Sequence, residues 1–468
     1  MFERIRGFFM TLLSMFRTYK IEELTGIHTN ISQEMYDHID LWARMASGKA
    51  PWNAEAKPCG VLDQIAGRLN MLITRELGLE VHNEAIREPM EHLNHNVDVL
   101  VEYIALLGAC VVRPLYASGK LQYEAVPLGH YLPFRYDFDG TLTGAIILKK
   151  IIDGEKHYIL TETHDYDGTD HYVRCKLYRQ ENSVLREIPL QNCDQTKDLT
   201  PEYVWKNCKR PMIVEFRNRA INKIDGSRVP VAMISGVEDI IEKADRQFER
   251  MDWEQRGGEK RIFADRDMFA KRRGFYDNKD GDVHAEVTPI TGDLNRLIVK
   301  VDGDGSANGE KIHEYSPELR TAQQNEYLQQ VFRRIELSIN LGKGSISDLE
   351  SVQQTATQYS GGRQDLYAIV DKIEDEITVK YQLCADIFAY MAAAWNLGPD
   401  DSEIIIKWND DETRKDIQAA KQTALQEISA GVKNKWEYRK EFYGEDEATA
   451  KANTPAEPVY DNPFSLGA

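Results

Sequence analysis

The chain has no GxxxxGK followed by serine or threonine, no GxSxG and no GxGxxG. Phosphate-cradling loops, nucleophile elbows and dinucleotide fingerprints therefore have no support. Cysteine is scarce: Cys59, Cys110, Cys175, Cys193, Cys208 and Cys384 are scattered, with no CxxC spacing. That pattern fits buried free thiols of a reducing compartment better than zinc or disulfide frameworks. Basic residues are outnumbered, 58 Lys and Arg against 76 Asp and Glu, for a formal charge of −18. A protein gripping nucleic acid through a broad basic surface is disfavoured, whereas a wall that lets DNA slide past is not. No stretch is apolar enough to span a bilayer. Residues 1–17 begin apolar, but the run is short, Arg17 interrupts it and no small-residue cleavage site follows. We expect an amphipathic helix that docks on protein, with membrane contact as the alternative. Proline is missing between Pro317 and Pro399.

That proline-free stretch reads as two amphipathic helices, about 316–340 and 364–396, parted by the small polar loop from Leu341 to Ser347. At ~1.5 Å per residue the second would be roughly 50 Å long, a strut suited to an assembly subunit. Leu328, Val331, Phe332, Ile335 and Ile339 form one apolar stripe. Leu366, Ile369, Val370, Ile373, Ile377, Cys384, Ile387, Phe388, Met391 and Trp395 form another. The stripes are core, either within the chain or against other subunits. Upstream, Met35, Ile39, Trp42 and Met45, then Leu69, Leu72 and Ile73, recur at helical steps across 31–107, with a further helix at 86–107. Six β-rich runs follow, at 109–116, 121–127, 142–152, 156–164, 171–179 and 184–190. Ser118-Gly119, Asp139-Gly140, Asp153-Gly154 and Asp167-Gly168 punctuate them, and glycine there supplies the positive φ of a hairpin. The expected class is α+β with an antiparallel meander.

A third long helix is expected at 236–256, opened by a Ser235/Glu238 capping box, carrying Val237, Ile240, Ile241, Ala244, Phe248 and Met251, and closed by Gly257-Gly258. A small insertion with β pieces at 261–263 and 296–301 fills 259–315. Beyond a strand at 403–408, polar helices at 412–430 and 433–443 flank Gly431, and a tail occupies 454–468.

Candidate chemistry is thin. His157, His164, Asp165, Asp170 and His171 sit in neighbouring runs, and a metal-dependent hydrolase would draw on His157, His164 and Asp165. His157 and His164 are an odd number apart, which puts them on opposite faces of one strand. Structural or surface histidines are the expectation, with no bound metal. Asp302-Gly-Asp-Gly-Ser lacks the glutamate of a calcium loop and reads as a solvated turn. Gly342-Lys343-Gly344-Ser345 follows a helix rather than a strand and lacks the upstream glycine, so it is no phosphate loop. It is either a plain connector or, in a ring, a loop converging on the axis.

The order of these elements resembles the portal proteins of long-tailed double-stranded DNA bacteriophages, over about residues 20–450. Trp42-Ala-Arg-Met-Ala-Ser-Gly48 with Pro51-Trp52 looks like the family's N-terminal signature. Leu107-Gly108-Ala-Cys-Val-Val, the hairpin at Gly119-Lys120 and Val126-Pro127 look like its wing sheet, and Thr355-Ala-Thr-Gln358 like the opening of its long helix. Gln358 stands where the family usually shows Glu, and the run from Asn222 through Pro230-Val-Ala, which resembles the family's link into the stem, lacks the usual glycine after the Pro-hydrophobic pair.

The resemblance implies a portal fold: wing 1–232, stem helices 233–258 and 316–340, an α/β clip 259–315 and a tunnel loop 341–356. A spine helix and strand 357–409, a helical crown 410–453 and a flexible tail 454–468 would complete it. It implies a non-enzyme without cofactor, forming a homo-oligomeric ring, usually of twelve, at one capsid vertex. Double-stranded DNA would pass through without sequence specificity during packaging and ejection. Expected contacts to DNA are Lys343, Ser345, Ser347 and Gln353. Partners would be the terminase motor, then the head–tail adaptor, with the major capsid and scaffold proteins, and no membrane. The protein would assemble in the host cytoplasm and end in the virion. An internal scaffold or adaptor protein is the alternative of another class.

Overall fold

The structure is a computed structural model that describes residues 21–29, 31–74, 77–117, 119–154, 156–181, 184–265, 270–271, 286–287, 297–301, 312–348, 356–408 and 417–454. The expectations for residues 1–17, for the turn at 302–309, for Gln353 and for the tail beyond 454 lie outside these residues. The chain forms two compact units, residues 1–75 with 81–404, and residues 76–80 with 405–468. The class is α+β with antiparallel sheets, as expected.

The first unit opens with α1 (Ile21–Thr25), α2 (Gln33–Ala46), a 3-10 turn at Pro51–Ala54 and α3 (Val61–Ile73). Ser32 caps α2 by accepting from the Met35 amide, and Met35, Ile39, Trp42 and Met45 are buried along it. In the second unit, β1 (Leu77–Val81) will pair with a strand near the C-terminus. Back in the first unit come α4 (Glu84–His95) and α5 (Val97–Leu107), where one continuous helix was expected. Asn96 parts them, its side-chain amide turned back to the His92 carbonyl and to Tyr123.

The strands β2 (Ala109–Ala117), β3 (Lys120–Pro127), β4 (Tyr131–Tyr136), β5 (Leu142–Asp153), β6 (Lys156–Tyr166), β7 (His171–Glu181), β8 (Val184–Ile188), β9 (Glu202–Trp205) and β10 (Val214–Arg217) follow. They make two sheets rather than one meander: β10-β2-β3, and β4-β5-β6-β7-β8 with β9 also on β7. The hairpin glycines behave as expected, with φ of 80° at Gly119 and 102° at Gly168. Strands β1, β4, β9 and β10 were not anticipated, being at most six residues each.

Helix α6 (Glu238–Gly257) leads to β11 (Arg261–Asp265), the short pair β12 (Ala270–Lys271) and β13 (Glu286–Val287), then β14 (Ile298–Val301) and β15 (Ile312–Tyr315). The strand β11 lies between β14, parallel to it, and β15, antiparallel. Helix α7 (Thr321–Ser338) starts later than expected, because residues 316–320 with Pro317 stay outside the helix. Arg320, at its start, holds Glu254 near the end of α6, so the two helices run antiparallel. Helix α8 (Ala356–Ala394) spans 39 residues, about 58 Å at the standard rise.

Its stripe is covered inside the same unit: Leu366, Val370, Ile373, Ile377, Cys384, Ile387, Phe388 and Met391 are buried. The helix packs on α3, α4, β2, β3 and β10. The strut is therefore a core element of its own chain. In the second unit β16 (Ile404–Trp408) pairs with β1, followed by α9 (Ile417–Ser429), α10 (Lys435–Tyr443) and α11 (Glu447–Ala452). Gly431, at φ 72°, closes α9, and Asn434 with Glu437 forms a capping box for α10.

Candidate functional site

The loop after α7 is organised by one buried carboxylate. Asn340 takes φ 55°, and the Leu341 amide donates back to the Glu336 carbonyl at 2.9 Å, a Schellman closure. Gly342 and Gly344, at φ 80° and 81°, turn the chain again. The Glu336 side chain, 1% exposed, then accepts four hydrogen bonds. Its Oε1 takes the amides of Ile346 (2.7 Å) and Ser347 (2.8 Å), and its Oε2 takes the amide of Gly344 (3.1 Å) and the Ser347 hydroxyl (2.8 Å). Leu341 and Ile346 are buried beside it. Of the expected contact residues, Lys343 is exposed, Ser345 is half-buried with its hydroxyl given to the Leu341 carbonyl, and Ser347 is buried against Glu336. The loop thus offers a cation on a backbone pinned from below. Glu336 was not singled out from the sequence, yet it falls on the Phe332–Ile335–Ile339 face, where a charge has no business unless it is bonded.

The same device fixes α6. Asp245, 4% exposed, accepts from the Trp52 indole at 2.8 Å, the Cys59 amide at 2.8 Å and the Asn53 amide group at 3.3 Å. Glu238 accepts from the Trp42 indole at 2.8 Å and from the Gly236 amide at 2.7 Å. The expected Ser235/Glu238 capping box does not form; Val237 is the N-cap and no side chain caps the helix. Glu238 is drawn instead to Trp42, whose buried N–H requires an acceptor. The indoles of the Trp42 and Pro51-Trp52 motifs therefore clamp the N-terminal half of α6. Its other half is only partly covered: Arg320 and Gln324 hold Glu254, whereas Phe248, expected in the core, is 43% exposed and Trp253 is 72% exposed. On α7, whose expected stripe is buried, Leu337 is 67% exposed.

A third feature lies between the sheets. A cavity of about 780 Å³ is lined by Arg113, Glu124, Glu162, His164, Trp205 and Trp395, among others. Arg113 pairs with both Glu162 and Glu124. His164 lies 2.8 Å from Glu162 and 3.0 Å from His171. Burial would raise the Glu162 pKa, but the Arg113 charge and His164 hold it at about 2. Burial, with His164 beside it, pushes His171 down to about 2. His130, likewise buried, falls to about 4.

The hydrolase residues are not brought together. His157 is exposed on the far face of β6, and Asp165 pairs with Arg135. Asp170 accepts from the Asn207 amide at 2.8 Å. Among the described residues no group of three or more His, Cys, Asp or Glu could hold a metal ion. The six cysteines are free, and all but Cys59 are buried. No helix among the described residues is long and apolar enough to cross a membrane. No protein-family model matches the chain, and no curated protein matches it.

Proposed function

We propose that this chain is a portal subunit of a tailed double-stranded DNA bacteriophage. Copies of it would form a ring, near twelve-fold, at one capsid vertex, and the ring is the channel through which the genome enters and leaves. The observation that carries the reading is one succession of elements. Antiparallel helices α6 and α7 bracket a small β unit, and a pinned, lysine-bearing loop then leads into the 39-residue α8. In this reading the succession would serve as stem, clip, tunnel loop and spine. Phe248, Trp253 and Leu337, left uncovered on α6 and α7, supply apolar surface for neighbouring copies.

In this account the protein performs no chemistry. A chain of charge −18 does not hold the duplex by counterion release, so DNA slides. Lys343 touches phosphates briefly on a loop whose position Glu336 fixes. Force comes from a separate ATP-driven terminase motor docked on 259–315, and the head–tail adaptor takes the same place once the head is full. Replacing Lys343 by alanine tests the reading. The exposed side chain contributes nothing to folding, so rings should assemble as before, while packaging rate or retention of packaged DNA changes. Loss of the ring in Lys343→Ala, or unaltered packaging and retention, contradicts the assignment. An internal scaffold or adaptor would give elongated particles or small oligomers without a hole.

A further inference from the structure

Folded interiors hold few voids larger than a water molecule. The inter-sheet cavity, at about 780 Å³, is far larger, and it falls within the range of small-molecule sites, about 300–1,000 Å³. Its interior is apolar: Ile147, Ile151, Leu160, Met212 and Met391 line it and are buried. The two methionines supply polarisable walls that adapt to what they hold. Aromatic rings complete the lining in preferred geometries, with Trp205 edge-on to Trp395 at 5.0 Å and Tyr116 stacked on Trp395 at 4.3 Å.

The charges on the inner walls neutralise one another. Arg113 pairs with Glu162 and Glu124, Lys149 reaches Glu124 at 3.4 Å, and His164 lies 2.8 Å from Glu162. Asp198 stands exposed at the mouth. A charged ligand would therefore give up its hydration inside without gaining an opposite charge. The mouth is preformed. Its strap, residues 194–200, is fixed near both ends: the buried Thr196 donates its hydroxyl to the Leu190 carbonyl at 2.6 Å, and the Pro201 carbonyl accepts from the Cys175 amide at 2.8 Å. Leu199 on that strap, with Tyr116 and Tyr203, lines the cavity and is also exposed, so the way in is apolar.

We propose that this cavity is a binding site for an uncharged, flat aromatic small molecule, which enters past Tyr116, Leu199 and Tyr203. The proposal does not rest on the ring reading. The reporter is N-phenylnaphthylamine, uncharged and bright only in apolar surroundings, titrated into the full chain. It should bind saturably, one molecule per chain. Three competitors of one shape then read the charge rule: naphthamide is neutral, naphthoate is an anion and naphthylmethylammonium is a cation. Naphthamide should displace the reporter at least about ten-fold more tightly than either ion, because the ions bring an uncompensated charge inside.

Met391→Trp fills the interior and should abolish reporter binding. Leu199→Ala and Tyr203→Ala, at the exposed mouth, should each weaken it about three-fold through lost apolar contact, a result that decides even where Met391→Trp does not fold. Trp253→Ala removes exposed apolar surface elsewhere in the chain and should change nothing. No saturable binding of the reporter or of naphthamide up to about 1 mM overturns the proposal. So do ions that bind as tightly as naphthamide, or reporter binding lost in Trp253→Ala but kept in both mouth variants. Affinity that falls as the protein is concentrated also overturns it, since a second copy of the chain would then be filling the cavity.

Discussion

Replacing Glu336 with glutamine is the sharpest probe of the loop. The carboxylate accepts from three amides and one hydroxyl while 1% exposed. Glutamine retains one oxygen, which can still serve the amides of Ile346 and Ser347, but without the charge that strengthens those bonds. Its NH2 group faces the Gly344 amide, donor against donor, while the Ser347 hydroxyl can rotate to accept. Losing charge assistance on two bonds and stranding one buried N–H amounts to about 2–4 kcal/mol. The cost falls on local opening of the loop, so native-state hydrogen exchange reads it directly. The amides of Gly344, Ile346 and Ser347 should exchange about 30- to 900-fold faster, while those of Val331 and Phe332 upstream keep their protection. Exchange at all three loop amides within about two-fold of the unaltered protein would refute the idea that this carboxylate organises the loop.

Acid should weaken the first unit through its buried histidines. Unfolded histidine binds a proton below about pH 6.5, whereas folded His171, held near 2, and His130, near 4, do not, so stability falls as pH drops from 7 to 5 by about 2 kcal/mol for each. Glu162, held near 2, loses its contribution only below about pH 4.3, outside that window, whereas Glu215, raised by burial, acts in the opposite sense. The diagnostic quantity is therefore the difference made by His171→Gln. Denaturant midpoints should show about 2 kcal/mol less pH dependence in that variant, and identical pH dependence would contradict the assignment. Gly108 sits at φ +93°, and an added Cβ would come within 2.7 Å of the Val231 carbonyl carbon and 2.9 Å of the Ala232 nitrogen. Gly108→Ala should cost about 2–5 kcal/mol in a urea titration, and a shift below about 0.5 kcal/mol would show that this backbone crossing is slack.

The parts legible from sequence were those written locally. The β-rich runs between Asp-Gly and Ser-Gly pairs became β2, β3 and β5 to β8, because a turn residue with positive φ and an apolar run need no distant partner. The stripe from Leu328 to Ile339 likewise gave α7 its buried face. What escaped depends on pairings across long separations. Trp52 meets Asp245 from 193 residues away, and nothing near either announces the other. The short strand β10 exists because β2 offers an edge, and its four residues carry too little pattern alone. Glu336, Asp245 and Arg113 share one overlooked signal, a charge at a position whose neighbours in the pattern are core. Phe248 shows the reverse: helical spacing put it on a stripe, but among the described residues its side chain is left 43% exposed.

Images of the negatively stained, purified protein, read beside its mass by light scattering, bear most directly on whether α6 and α7 complete their cover with other copies of this chain. Closed rings of about twelve copies, with a central hole wide enough for a duplex, are expected. A particle of one chain's mass, 53.7 kDa, that persists at high concentration would contradict it.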